Sequence, residues 1–356
     1  MANHTHGYGS YRGRGHPVFR LLLLLLAVAA VLVVVGFSLL QPYIIYSADG
    51  VEINLPFLSK DLPIDDSITT PELVVETPRP TPTPTPNRFA LAQDLRSYLP
   101  VDVKTLTSPA AEWPILSPDT GYIVNLKDPW GALPYVSAVE KAISITASGS
   151  DVAVNEALAA FAGRSTHEVA AISCFKDQTA GDGDYDFCIL SNSGYRWVDD
   201  TDIRWISPSK SAVRQYALDL ATEAADFGFD EILLTYAHYP ASGVFGYIKN
   251  GVDYNQAELS TVIDGFYQEV GEAFTDRETL ISIYVCDEFL ENPQEFRSGQ
   301  TADSMLANFD RIWYNEALAD SALERVFGGN ATLMAQRGVA IDTANPEFSL
   351  FSIRGI

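Results

Sequence analysis

Short apolar segments alternate with amphipathic segments along the chain from residue 121 to residue 341. Segments typical of buried strands are GYIVNL (121–126), EVAAISCF (168–175), DEILLTY (230–236), LISIYVC (280–286), RIWY (311–314) and GVAI (338–341). Strands that alternate with helices usually pair in parallel, with helices covering the sheet. We therefore predict an α/β fold of the TIM (β/α)8 type. A barrel of this type typically needs about 250 residues. Only six strands are evident in the sequence, so the prediction includes an incomplete or divergent barrel as well as a complete one.

Three segments between these strands have the apolar spacing of helices, namely 151–163, 207–228 and 256–274. Asp151 precedes the first and is a suitable N-cap. For the second, Ser207 is the predicted cap and Gly228 the predicted stop.

The N-terminal part has the features of a membrane anchor. Residues 21–40 contain no charge and no proline, and about twenty apolar residues span a bilayer core. A cleaved signal peptide is the alternative, but its apolar core usually has only about 7–15 residues. Arg12, Arg14 and Arg20 precede this run and favour a cytoplasmic N-terminus.

This pattern predicts four parts, which are a cytoplasmic tail (1–20), a transmembrane signal anchor (21–41), an extracytoplasmic stalk (42–88) and a barrel domain (89–356). The stalk is Pro/Thr-rich at 70–88, which favours an extended polyproline II spacer. We expect a single-pass protein of the cell membrane whose barrel domain is extracellular.

Composition excludes several classes of function. The net charge is −23 and no cluster of Lys and Arg is present, so no nucleic-acid partner is expected. No cofactor is expected, because phosphate loops, nucleophile elbows and dinucleotide fingerprints are missing from the sequence. No metal is expected either, since GDGDYD (181–186) begins like a calcium loop but continues with Phe187 and Ser193 where Gly and Glu are needed.

Cys174 and Cys188 either form a disulfide across a predicted hairpin or are buried thiols.

Polar side chains follow the predicted strands, where the active sites of such barrels are built. Carboxylates, lysines and aromatic rings in this position are typical of carbohydrate sites, and glycoside hydrolysis needs two carboxylates. The catalytic candidates are Asp128, Asp287 and Glu288. The candidates for substrate binding are Asn125, Lys127, Lys176, Asp177, Thr235, Tyr236, His238 and Tyr314.

Four segments together resemble a bacterial family of glycoside-hydrolase-like TIM barrels that is distantly similar to alpha-amylase-type barrels. They are YIVNLKDPWGALPY, FKD, WISPSKSAVRQYALDLATEAADFGFDEILLTYAHYP and YVCDEF, within residues 121–314. In that family the first strand reads like IDVKDDSG and the later one like FDEIQFDYIRFP. The positions that match are Lys127, Asp128, Lys176, Asp177, Tyr236, Pro240 and Asp287.

The departures from this family concern its acids. Asn125 and Thr235 stand where the family has aspartates, and His238 replaces an arginine. The resemblance implies that the aspartate missing at Thr235 is the nucleophile. We therefore expect an extracytoplasmic domain that binds a polysaccharide or cell-wall glycan with weakened or lost catalysis. Two alternatives are an active glycosidase that uses Asp287 or Glu288 with Asp128 or Asp177, and a non-enzymatic surface or assembly protein.

Overall fold

The computed structural model describes residues 44–47, 50–53, 97–107, 120–163, 166–292 and 294–342. The chain divides into two units, Met1–Arg79 and Pro80–Ile356. The predicted tail (1–20), transmembrane segment (21–41) and Pro/Thr-rich segment (70–88) lie outside the described residues. Within the ranges that are described, no helix is both long and apolar enough to span a bilayer.

The described part of the first unit is a pair of short strands inside the predicted stalk. Ile44–Ser47 (β1) and Gly50–Ile53 (β2) pair in antiparallel orientation, with Ser47 opposite Gly50 at the turn.

The second unit contains a parallel sheet whose seven described strands are hydrogen-bonded in the order of the chain. The strands are Ser97–Val101 (β3), Thr120–Lys127 (β4), Glu168–Ser173 (β5), Glu231–Thr235 (β6), Leu280–Tyr284 (β7), Arg311–Asn315 (β8) and Gly338–Ile341 (β9). All six predicted strands are confirmed, and β3 is a seventh that the sequence analysis did not predict. The parallel α/β fold is therefore confirmed, and this sheet fits an incomplete TIM barrel.

The sheet curls strongly, because side chains of distant strands meet on its inner face. The rings of Tyr98 on β3 and Trp313 on β8 lie 4.7 Å apart, although four strands separate β3 from β8 in the sheet. Alternate residues of each strand point inward and form a buried core of their own. This inner core consists of Tyr98, Ile123, Val169, Ala171, Leu233, Tyr284, Trp313, Val339 and Ile341.

A charged network occupies the inner face near the amino ends of the strands. Glu231 is fully buried. One of its oxygens accepts hydrogen bonds from Ser282 (2.5 Å) and the Trp313 indole (2.8 Å), and the other accepts from Arg311 (2.8 Å) and contacts Nε2 of His167 at 2.8 Å. Burial alone would raise the pKa of Glu231, but the Arg311 charge and the His167 contact outweigh burial and bring it to about 2. These bonds satisfy a buried carboxylate and tie strands β6, β7 and β8 together.

Helices cover the outer face of the sheet. They are Val103–Leu106 (α1), Glu140–Ser144 (α2), Val152–Ala162 (α3), Gln178–Gly183 (α4), Ser211–Asp226 (α5), Leu259–Phe274 (α6), Asp287–Glu291 (α7), Ala302–Asn308 (α8), Ala319–Arg325 (α9) and Ala331–Arg337 (α10). The three predicted helices correspond to α3, α5 and α6. Asp151 caps α3 as predicted, because its side chain accepts a hydrogen bond from the Ala153 amide at 3.0 Å.

The predicted start of α5 is wrong. Its N-cap is Lys210 rather than Ser207. The Ser207 hydroxyl accepts from the Ser209 amide at 3.2 Å and donates to the Asp253 carbonyl at 2.6 Å, but it lies before the helix. Gly228 follows the helix with φ of +98°, as expected for its C-terminal stop.

Cys174, Cys188 and Cys286 are buried free thiols. The predicted hairpin between Cys174 and Cys188 is wrong, because strand β5 leads into helix α4. Burial raises the pKa of Cys174 to about 12, so this thiol is protonated and inert at neutral pH.

Candidate functional site

Several predicted site residues meet at the carboxyl ends of β4, β6 and β7. Inward-facing residues alternate along a strand, so Asn125 follows Ile123 and Thr235 follows Leu233 on the inner face. Thr235 is buried, whereas Asn125, Tyr236, Asp287 and Glu288 are each partly exposed. We call these five residues, together with Asn315, the carboxyl-end site.

Asp287 and Glu288 provide the carboxylates of this site. The Tyr284 hydroxyl donates to one oxygen of Asp287 at 2.7 Å, and the Asn315 amide donates to the other at 2.9 Å. The Cys286 thiol donates to Glu288 at 2.9 Å. Asp287 is therefore held in place by its neighbours on β7 and β8, and Asn315 and Tyr284 are functional candidates that the sequence analysis missed.

Three aromatic side chains form one wall of the site. The Trp205 ring lies 6.0 Å from Tyr236 and 5.6 Å from His238, and the Tyr236 and His238 rings lie 6.1 Å apart. Tyr236 has a positive φ of +48°, which is unusual for a bulky residue and turns its side chain out of the strand path. Trp205 and His238 are buried and Tyr236 is partly exposed, so Tyr236 is the ring of this wall that can meet a ligand.

A buried ion pair supports this wall. Lys176 contacts Asp199 at 2.7 Å and lies 5.1 Å from the centre of the Tyr236 ring. Asp199 also accepts a hydrogen bond from the Trp205 indole at 2.9 Å. Burial alone would raise the pKa of Asp199, but Lys176 and the hydrogen bonds from Thr201 and Trp205 lower it below its ordinary value. Asp199 is thus an ionised structural group at neutral pH.

The protonation states of the wall follow from its surroundings. Burial raises the pKa of Tyr236, and the carboxylates of Asp199, Glu288 and Asp287 add to this effect, so the phenol is neutral. Burial lowers the pKa of His238, which leaves a neutral imidazole at neutral pH. Its Nδ1 lies 2.7 Å from the Tyr239 carbonyl and donates to it, so Nε2 is the acceptor. The wall therefore presents uncharged, hydrogen-bonding aromatic groups.

Lys127 and Asp177 lie elsewhere and contact each other. Their side chains are fully buried and 2.7 Å apart, and Lys127 lies 5.7 Å from the ring of Tyr216 on the outer helix α5. The register between β4 and β5 shifts between Asn125 and Lys127, so the simple alternation of faces does not continue to Lys127. Asp177 also accepts from the Ala180 amide at 2.7 Å and thereby caps α4.

The structure does not bring Asp128 or Tyr314 into contact with the carboxyl-end site. Asp128 accepts a hydrogen bond from the Trp130 amide at 2.8 Å within a tight turn. Tyr314 belongs to the outer core and packs beside Phe327, with ring centres 6.4 Å apart. Its neighbours Trp313 and Asn315 take the inward positions, because faces alternate along β8.

A curled parallel sheet with acids and aromatic rings at the carboxyl ends of its strands is the arrangement of a glycoside-hydrolase-like α/β protein. The model of a family described as "putative glycosyl hydrolase domain" matches residues 120–313, more than half of the chain. The chain belongs to this family, and the resemblance found in the sequence is confirmed.

The solved structures that resemble this fold have low sequence identity to the chain. A protein from Ruminiclostridium thermocellum is 23% identical, with 52% of this chain and 96% of that chain covered and a TM-score of 0.40. Aspergillus fumigatus Ega3, solved with galactosamine, is 17% identical, with 69% and 76% covered and a TM-score of 0.36. A Chromobacterium violaceum chitinase is 13% identical, with 66% and 64% covered and a TM-score of 0.34. Similarity this low carries no information about function, and no curated protein matches the chain.

Proposed function

We propose that this protein is membrane-anchored, that its domain is a divergent (β/α)8-type barrel, and that the carboxyl-end site binds carbohydrate with little or no hydrolysis. One observation carries the proposal. The inward positions at the ends of β4 and β6 hold Asn125 and Thr235, whereas the resemblance implies aspartates there.

Hydrolysis with the usual double displacement needs a nucleophilic carboxylate and a proton donor about 5–5.5 Å apart, on either side of the glycosidic bond. Asp287 and Glu288 are adjacent in sequence at a single strand end. Asp199 is paired with Lys176, and Asp177 with Lys127. The site thus has a proton donor but lacks a free carboxylate at the position of the implied nucleophile.

Binding does not require that nucleophile. The partly exposed face of Tyr236 can pack against the apolar face of a sugar ring, and the buried Trp205 and His238 rings hold Tyr236 in place. Asp287, Glu288 and Asn125 supply partly exposed groups that bond hydroxyls. These contacts support a neutral or amino sugar over an acidic one, because the site and the chain as a whole are acidic.

The test is to measure binding and hydrolysis on the same sugars with the full-length protein. We expect binding on a glycan array without measurable release of reducing ends. Tyr236→Ala should weaken binding by about ten-fold or more, while Ile143→Ala, on the outer helix α2, should not change it.

Two results would contradict the proposal. Brisk hydrolysis that is abolished by Asp287→Asn but unaffected by Thr235→Ala would identify an active glycosidase. Absence of binding to any sugar on the array would favour the surface or assembly protein.

The membrane anchor is a separate part of the proposal, and residues 21–41 support it by their composition. We expect the full-length protein in the membrane fraction of its host. Protease added outside the cell should release the barrel domain by cutting near residues 70–88. A secreted protein whose N-terminus lies beyond residue 40 would show that the segment is a cleaved signal peptide.

A further inference from the structure

Exposed aromatic side chains line a second groove beside the carboxyl-end site. Tyr195 is 75% exposed, Tyr247 65% and Val244 57%. They lie along a cavity of about 390 Å³ formed by segments 191–200 and 244–247. We call this cavity the tyrosine groove. Exposed aromatic groups that cluster on one surface commonly mark an interaction site.

The two segments of the groove are clamped together by their backbones. The Asn192 amide donates to the Tyr247 carbonyl at 2.8 Å, and its side chain donates to the Gly246 carbonyl at 2.9 Å. Ser191 and Tyr195 close a turn through an amide-to-carbonyl bond of 2.7 Å. None of these bonds uses a tyrosine side chain, so the rings are held on a rigid frame but remain free to bind.

A stacked pair of rings, the buried Trp197 and the partly buried Phe245, packs beside the groove. Trp197 and Phe245 are nearly parallel, at 23° with 6.3 Å between their centres. Gly243 has φ of +114°, and a side chain there would meet Trp197 at 2.8 Å, so the close approach requires glycine. The stacked pair of Trp197 and Phe245 therefore depends on specific packing.

The lining of the groove indicates the chemistry of its ligand. Tyrosine offers an apolar face together with a hydroxyl, and the polar residues Asn192, Ser193 and Asp200 line the same groove. A purely apolar ligand would leave these polar groups desolvated and unpaired. Sugar rings have apolar faces and hydroxyl edges, so they match a groove lined by both aromatic rings and polar groups.

Asp199 connects the groove to the aromatic wall by side-chain contacts. This residue lines the groove, and its carboxylate binds Lys176 and Trp205 of the aromatic wall. Lys176 in turn lies 5.1 Å from the Tyr236 ring centre. These contacts place the groove beside the residues that support the Tyr236 ring.

We propose that the tyrosine groove is a second sugar subsite, which holds part of an oligosaccharide whose other part occupies the carboxyl-end site. This inference rests on the proposed function and goes further, because it assigns an extended glycan rather than a single sugar as the ligand. Tyr195 and Tyr247 would bind it by ring stacking.

The test compares short and long probes on the full-length protein. The probes are the di- and hexasaccharides of the N-acetylglucosamine, glucose and galactosamine series. For a series that binds, the hexasaccharide should bind at least about ten-fold more tightly than the disaccharide, because two linked contacts act together. The double variant Tyr195→Ala/Tyr247→Ala should remove this gain and leave disaccharide affinity within about two-fold.

Two variants serve as controls. Tyr195→Phe/Tyr247→Phe keeps the rings and should keep most of the gain, which separates stacking from hydrogen bonding by the hydroxyls. Ile143→Ala removes an exposed apolar side chain elsewhere and should change neither affinity.

The outcomes separate this inference from the proposed function. In one outcome, the wild type and the alanine double variant bind the hexasaccharide equally well, and Tyr236→Ala loses binding. This result would show that the groove is not a subsite, while the proposed binding at the carboxyl-end site would remain supported. No binding by any of the three series overturns the groove as a subsite for these sugars. If the tyrosines instead drive self-association, seen in sedimentation velocity and lost in the double variant without any effect on sugar affinity, the groove is an interface between copies of the chain.

Discussion

At the scale of single residues, Thr235 distinguishes binding from catalysis. It is buried on the inner face at the end of β6, and Lys127 and Lys176 are each already paired with an aspartate. We predict that Thr235→Asp raises hydrolysis of a chromogenic glycoside by about ten-fold or more, because it restores a nucleophile. An unpaired buried acid should also lower the free energy of unfolding by about 1–3 kcal/mol. Rate assays and urea unfolding measure the two effects.

Thr235→Asn is the matched control, because it has nearly the same shape as aspartate but cannot act as a nucleophile. Equal hydrolysis by Thr235→Asp and Thr235→Asn would show that position 235 is not where the sugar reacts.

Part of this site could be predicted from the sequence. Asn125, Thr235, Tyr236 and Asp287 were predicted because polar residues directly follow apolar strands, and the structure brings them to one end of the sheet. The remaining features of the site could not be predicted, because they depend on how the strands pair in the folded protein. A register shift between Asn125 and Lys127 separates Lys127 from that face, and this shift has no signal in the sequence.

Tyr236 and His238 of the aromatic wall were predicted from the sequence, but its third ring, Trp205, and the supporting Asp199 were not. Asp199 lies in a loop, far along the chain from the strand ends, and contacts Lys176 and Trp205 only after folding. Asn315 could have been found, because it follows Trp313 by two positions and therefore shares its inward face.

At the scale of helices and strands, the sequence predicted the start of a helix correctly where a capping side chain bonds the first turn. Helix α3 begins where Asp151 predicts, whereas the N-cap of α5 is Lys210, which forms no side-chain capping bond, rather than Ser207. Strand β3 was missed since SYLPV contains a proline and has no clear alternation.

The cap of α3 gives a prediction at this scale. Asp151→Ala removes the bond to the Ala153 amide, so the free energy of unfolding should fall by about 1 kcal/mol. Thermal or urea unfolding of the full-length protein measures it. Glu156→Ala, an exposed change within the same helix, should stay within about 0.5 kcal/mol. A loss as large for Glu156→Ala as for Asp151→Ala would mean that the cap is not the cause.

At the scale of the whole molecule, the inner charged network joins strands that are distant in sequence. Arg311 on β8 bonds both Glu231 on β6 and the Tyr98 hydroxyl on β3, the latter at 2.6 Å. Helices cover the outer face of the sheet with apolar contacts, and inside the curl the ionised Glu231 carboxylate joins the strands beside the inner apolar core. The charge on Glu231 therefore affects the stability of the entire sheet.

This dependence predicts how stability changes with pH. The ordinary pKa of a glutamate is 4.5, and in the folded protein the Arg311 charge and the His167 contact, which outweigh burial, lower the pKa of Glu231 to about 2. The stability from ionised Glu231 is then fully present above pH 4.5 and is lost as the pH falls towards 2, in total about 3 kcal/mol. Glu231→Gln should lose about 3–5 kcal/mol at neutral pH, because it leaves Arg311 buried without its partner, and should lack this part of the acid dependence. Urea unfolding at a series of pH values, with Glu156→Gln as the exposed control, measures both effects. Parallel loss of stability in the wild type and Glu231→Gln across this range would show that Glu231 does not carry the acid sensitivity.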